Sequence, residues 1–143
     1  MTINQEAPVV VSKDIHINAK PETVWEVLTD IEKWPKWNSK ITDSTLKEEP
    51  NIGTSFTWKT NGSRIKSQIH TFECNKAIGW IGRTFGAKAI HNWVLEPTKN
   101  GTKVAVKESM EGWFIFLLRK KMNNILEEDM TYWLEQLKIE CEK

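Results

Sequence analysis

The chain has 143 residues, 39% hydrophobic and 27% charged, with 20 Lys+Arg against 19 Asp+Glu and a formal net charge of +1. That length suits one domain, and the near-neutral balance lacks the one-sided basic field that nucleic-acid or anionic-membrane binding normally requires. No apolar run reaches the ~18 residues of a membrane span, and Cys74 and Cys141 form neither a disulfide framework nor a zinc spacing.

Residues 1–143 therefore read as a single unit without repeats or linkers, with residues 1–8 expected to be flexible. The polar start, Met1 to Pro8, lacks the apolar core of a signal peptide, so the cytoplasm is the expected compartment and stable membrane insertion is not expected. Eight Trp residues are many for this size. Trp is large and carries an N–H that needs a partner, so it gathers at cavities and binding faces as well as in cores.

From Val9 to Ala19 apolar and polar residues alternate, which predicts a strand with one buried face and places His16 on the exposed side. Lys20-Pro21-Glu22 then opens a helix, with Val24, Val27, Leu28 and Ile31 at helical spacing. Asp30 is placed to cap a second short helix that Pro35 stops, which leaves Trp34-Pro35-Lys36-Trp37-Asn38 as a loop.

Six strands follow at short spacing: Ile41–Glu48, Thr54–Thr60, Ser63–Glu73, Ala77–Thr84, Ala87–Glu96 and Thr102–Glu111. Asn61-Gly62 is a two-residue hairpin signal, and successive hairpins make an antiparallel meander. His70 shares parity with Lys66 and Gln68, so it is expected to be exposed unless a bulge intervenes. The last element is a helix from Phe116 to Glu142, with an apolar stripe through Leu118, Met122, Leu126, Met130, Trp133, Leu137 and Cys141. Within it Arg119-Lys120-Lys121, followed by Glu127-Glu128-Asp129, reads as a solvated face. A stripe that wide must lie against the sheet.

The hairpin from Ala87 to Glu111 carries the one chemical constellation. Symmetric pairing about its turn sets Leu95 against Val104, Trp93 against Val106 and His91 against Glu108 on the inner face. It sets Glu96 against Lys103 outside, and a slip of one residue would turn Lys103 and Lys107 into the core. A buried His91–Glu108 pair has two readings: a polar floor that orients a ligand group or passes a proton, or a mutually satisfied structural pair. No Ser/His/Asp set, no phosphate loop and no metal-ligand cluster appears, so no metal or cofactor is expected.

The order strand, short helices, six strands, long helix resembles the helix-grip fold of the START/Bet v 1-like (SRPBCC) superfamily, in its polyketide cyclase/dehydrase-like branch. The matching residues run from Ile15 through Lys20-Pro21-Glu22-Thr23-Val24-Trp25 to Leu28-Thr29-Asp30, then Trp34 and Trp37. Gly53, Trp80, Trp93, Leu95-Glu96-Pro97, Gly101-Thr102, Glu108 and Gly112 continue the match. The resemblance implies an α+β fold in which a curved antiparallel sheet of about seven strands wraps a long C-terminal helix. It also implies an apolar cavity holding a lipid, polyketide or similar molecule, but brings no catalytic motif.

The expectation is thus a binding protein for a small hydrophobic ligand, monomeric or homodimeric, more a binder than an enzyme. The lining candidates are Trp37, Trp58, Trp80, Trp93, Met110, Phe116, Met130 and Trp133, with His91 and Glu108 as the polar groups. One alternative is a cyclase/dehydratase using His91 and Glu108 as acid and base. Another is a co-chaperone-like interaction module, which would need an exposed apolar patch that the alternation does not show.

Overall fold

The computed structural model describes residues 1–143. Strand β1 (Val9–Ile17) leads into helix α1 (Pro21–Thr29), a 3-10 turn at Ile31–Lys33 and the short helix α2 (Trp34–Trp37). Six strands follow: β2 (Ile41–Leu46), β3 (Ser55–Thr60), β4 (Ser63–Glu73), β5 (Ala77–Thr84), β6 (Ala87–Thr98) and β7 (Gly101–Glu111). Helices α3 (Trp113–Leu117) and α4 (Arg119–Cys141) close the chain. The seven strands form one antiparallel sheet in the order β1-β7-β6-β5-β4-β3-β2, so β1 crosses to the far side and the rest is a meander.

The sheet's apolar face and the stripe of α4 bury each other. Leu126, Met130, Trp133, Leu134, Leu137 and Cys141 are buried on the helix, against Val9, Val11, Ile69, Trp80, Trp93 and Val106 of the strands. Lys13, on the inward parity of β1, reaches Glu127 of α4 at 2.6 Å, and Lys138 donates to the His16 carbonyl at 2.9 Å. Trp34 sits in the middle, its ring within 6 Å of Phe56, Trp58, Trp80 and Trp133, and its Nε1–H donates to the Leu28 carbonyl at 2.9 Å.

The β6–β7 register is the one expected: His91 pairs with Glu108, Trp93 with Val106, Leu95 with Val104 and Glu96 with Lys103. Asn61 and Gly62 both take positive φ, 49° and 76°, as a primed hairpin turn needs.

Several elements differ from expectation. Pro35 does not stop a helix: it lies in the first turn of α2, where its missing N–H costs nothing, so Trp34–Trp37 is helical rather than a loop. The C-terminal helix is broken at Leu118 (φ −113°, ψ 29°), and Phe116 belongs to the separate α3. A bulge does intervene at His70: Ile69 pairs with Trp80 and Thr71 with Gly79, leaving His70 as the extra residue, half-buried on the convex face. Residues 1–8, for which the sequence suggests flexibility, lie on that same face. Ile3 is buried there, the Asn4 N–H donates to Ser109 Oγ at 3.0 Å, and Asn92 Nδ2 donates to the Met1 carbonyl at 2.8 Å.

Candidate functional site

The meander brings several segments to one end of the sheet. The β3–β4 and β5–β6 turns, the start of β2 and the exit of β7 all lie there, because alternate turns of an antiparallel meander share an edge. Between that edge and the first half of α4 is a cavity of about 260 Å³. It is just below the roughly 300 Å³ at which small-molecule pockets begin and far above a single water's share of about 30 Å³. Fifteen of its 25 lining residues are hydrophobic, which makes it an apolar space with a few placed polar groups.

Its walls are Trp58, Trp80, Ile115, Met122, Leu126 and Met130, with Ala87, Ala89 and Gly82 leaving the room. Small residues on β5 and β6 opposite large ones on α4 create the space, since a packed layer there would need Leu or Ile. The floor holds His91, Glu108, Met110 and Trp133. At the mouth stand Lys40 and Asp129, paired at 3.1 Å, with Asn61 Nδ2 donating to Asp129 Oδ2 at 2.6 Å. Phe85, which is 80% exposed, also lines the cavity, so the mouth reaches the surface at the β5–β6 turn.

His91 and Glu108 are 2% and 6% exposed. His91 Nδ1 lies in ion-pair contact with Glu108 Oε1, but the oxygen sits off the N–H direction, so neither ring nitrogen makes an aligned hydrogen bond. The imidazole lies between two indoles, 4.5 Å from Trp80 and 5.6 Å from Trp93, both stacked, with Trp133 meeting it edge to face at 5.3 Å. Flat aromatic faces on both sides fix the ring plane. Trp133 Nε1 is buried without a protein partner, as is His91 Nε2. Trp58, by contrast, donates to Ser67 Oγ at 3.1 Å.

Of the lining candidates, the cavity gathers Trp58, Trp80, Met110, Met130 and Trp133, together with His91 and Glu108. Trp37, Trp93 and Phe116 do not line it. Trp37 is packed into the core through α2. Trp93 lies one inward position farther from the mouth than His91, where the core is solid, and is fully buried. Phe116 points away on α3 and is 60% exposed. Sequence reasoning missed Lys40, Asn61 and Asp129, which only the tertiary fold brings together, and Ala87 and Ala89, whose inward parity on β6 was the available signal. No three His, Cys, Asp or Glu side chains stand close enough together to hold a metal ion.

A curved antiparallel sheet gripping a C-terminal helix over an internal cavity defines the helix-grip class of START-like proteins. Residues 8–142 match the family model described as polyketide cyclase/dehydrase and lipid transport, and the chain belongs to that family. A hypothetical protein of Helicobacter pylori shares 19% identity over 96% of this chain and 90% of its own, with a TM-score of 0.87. The Zhui aromatase/cyclase of a Streptomyces species shares 13% identity over 93% of each chain at a TM-score of 0.81. A START superfamily protein of Mycobacterium smegmatis shares 19% over 90% of this chain and 98% of its own at 0.67. At these identities the likeness speaks to fold. No curated protein matches the chain. Family and fold together support a ligand-binding or cyclase role, and no helix is long and apolar enough to cross a membrane.

Proposed function

We propose that the protein binds a small, largely apolar molecule that carries one hydroxyl or carbonyl group. The observation that carries this reading is the contrast inside one cavity. Met and aromatic walls surround a single buried acid–base pair, and two nitrogen atoms of the lining, Trp133 Nε1 and the pair's own His91 Nε2, have no protein partner. A buried unmet polar atom costs about 1–3 kcal/mol, so a ligand oxygen placed there gains what the apo protein forgoes. The apolar body would lie along Leu126 and the two methionines Met122 and Met130, whose flexible thioethers adapt to irregular shapes.

The test is native mass spectrometry of freshly purified protein beside the cavity-filling variant Ala89→Phe. An apolar adduct is expected on the parent and should be lost in the variant, with a similar far-UV spectrum. An adduct retained in full by Ala89→Phe would overturn the assignment to this cavity.

A second reading, a cyclase or dehydratase, is favoured by one feature: Glu108 contacts His91 Nδ1, and Nε2 of this cavity-lining residue is left without a protein partner. His91 Nε2 would take a proton from carbon beside a carbonyl, the C–H electron pair entering the enolate, and return it to a departing β-hydroxyl as water. Glu108 would hold the imidazolium in between. Turnover unchanged by His91→Ala would remove this reading while leaving the first intact.

A further inference from the structure

Five of the nine large apolar side chains exposed on the surface fall in one place: Phe85 on the β5–β6 turn and Trp113, Phe116, Leu117 and Leu118 around α3. They are joined physically. Phe85 and Trp113 meet edge to face at 5.4 Å, and the Phe114 N–H donates to the Gly86 carbonyl at 3.2 Å, locking α3 onto the turn. The patch is continuous with the cavity mouth, since Phe85 belongs to both and the half-buried Phe114, beside Trp113, lines the cavity. Isolated exposed hydrophobics need no explanation, but a contiguous patch of aromatic and leucine side chains does.

Charge tells which partner fits. Arg119, Lys120 and Lys121 follow the patch directly, all exposed and none paired with a carboxylate, and the Arg119 guanidinium lies 5.8 Å over the Phe116 ring. Glu111, at the exit of β7, is already engaged by Lys88 at 3.4 Å. A second copy docking through this face would bring two uncompensated basic rims together. An anionic bilayer would meet both halves: Trp and Phe at the depth of the headgroups, the three cations among lipid phosphates.

We propose that this face is a peripheral membrane-docking surface for anionic lipid, which sets the cavity mouth on the bilayer without a spanning segment. It stands on the surface alone and does not require that the cavity hold a ligand, so the two readings fail separately.

The probe is sedimentation with vesicles of phosphatidylcholine alone and of phosphatidylcholine mixed with phosphatidylglycerol. Binding is expected to the anionic vesicles only, and added salt should weaken it. Neutralising Arg119, Lys120 and Lys121 together to Gln should cut that binding by at least about tenfold, because each cation near such a surface contributes several-fold. Phe116→Ser with Leu117→Ser should abolish it; both positions are exposed, so the fold should persist by circular dichroism. No binding to either vesicle, or binding that neither variant weakens, would overturn the proposal. So would a concentration-dependent dimer that Phe116→Ser and Leu117→Ser dissolve, which would mark the face as a contact between copies.

Discussion

His91 and Glu108 show how much depends on a single contact. Neither would be tolerated alone among Trp80, Trp93, Met110 and Trp133, since an unpaired buried polar group costs about 1–3 kcal/mol and a charge more. Glu108→Leu alone is therefore expected to lower unfolding stability by that amount, measured by urea denaturation. The double variant His91→Phe with Glu108→Leu should cost much less than the sum, because apolar groups of similar size often replace a buried pair at little net cost. A double variant as stable as the parent but unable to hold the co-purifying ligand would show that the pair is kept for the ligand rather than for the fold. Additive costs would mean that the two side chains do not act as a pair. Cys141 is a contrasting buried group: burial first, then the neighbouring Glu140 and Glu142 carboxylates, push its thiol up to about 12, so it stays protonated and packs as an apolar side chain.

At the scale of elements, α3 is the piece that gives the site its character, and its attachment rests on one backbone position. Gly112 lies at φ 122°, and a Cβ there would stand 2.4 Å from the Gly86 carbonyl oxygen. Gly112→Ala thus combines a strained φ with a clash against backbone that cannot yield, and is expected to cost more than the ~1 kcal/mol of an ordinary glycine replacement. Thermal melts should show the loss, and Trp113 should become more open to acrylamide quenching as α3 lifts from the β5–β6 turn. A variant matching the parent in both would mean that α3 does not depend on this approach. The sequence announced the strands and their register, because alternation and the Lys103 and Lys107 positions leave one pairing that keeps charge out of the core. It did not announce α3. Trp113-Phe114-Ile115-Phe116-Leu117 has the composition of a buried run, yet only Ile115 is fully buried, and nothing local marks the break at Leu118. Trp93 and Trp37 were indistinguishable from cavity residues by type, because lining depends on distance from the mouth, a tertiary quantity. The Lys40–Asp129 pair at the mouth, 89 residues apart in the chain, was beyond any spacing rule.

The whole molecule is a sheet covered on both faces, by α4 on the concave side and by residues 1–8 on part of the convex side. The second cover meets the bulge at His70, and Asn92 binds the Met1 carbonyl beside it. Burial chiefly, and the positive N-terminus next, lower the His70 pKa from its ordinary 6.5, opposed by the side-chain hydrogen bond that the protonated ring donates to Asn92. The native state therefore prefers the neutral ring, and the unfolded chain binds the proton more readily. The stabilisation is complete above pH 6.5 and is lost as pH falls through the lowered folded value. Glu142 is also lowered, by the hydrogen bond from Lys138 first and then from the Asn18 N–H, but as a carboxylate it acts at more acid pH and leaves the imidazole range clear. Melting temperature should accordingly fall between about pH 7 and pH 5, and His70→Gln, which keeps an amide for Asn92 without a titrating ring, should flatten that limb. Removing residues 1–6 should flatten it in part, because the ring would then be better hydrated and no longer face the terminal charge. Hydrogen exchange along β6 and β7 gives the second readout: in the parent, the amides beneath Ile3 and Asn4 should lose protection on acidification before those beneath α4. An acid limb of unchanged steepness in His70→Gln would show that His70 does not couple the convex cover to pH.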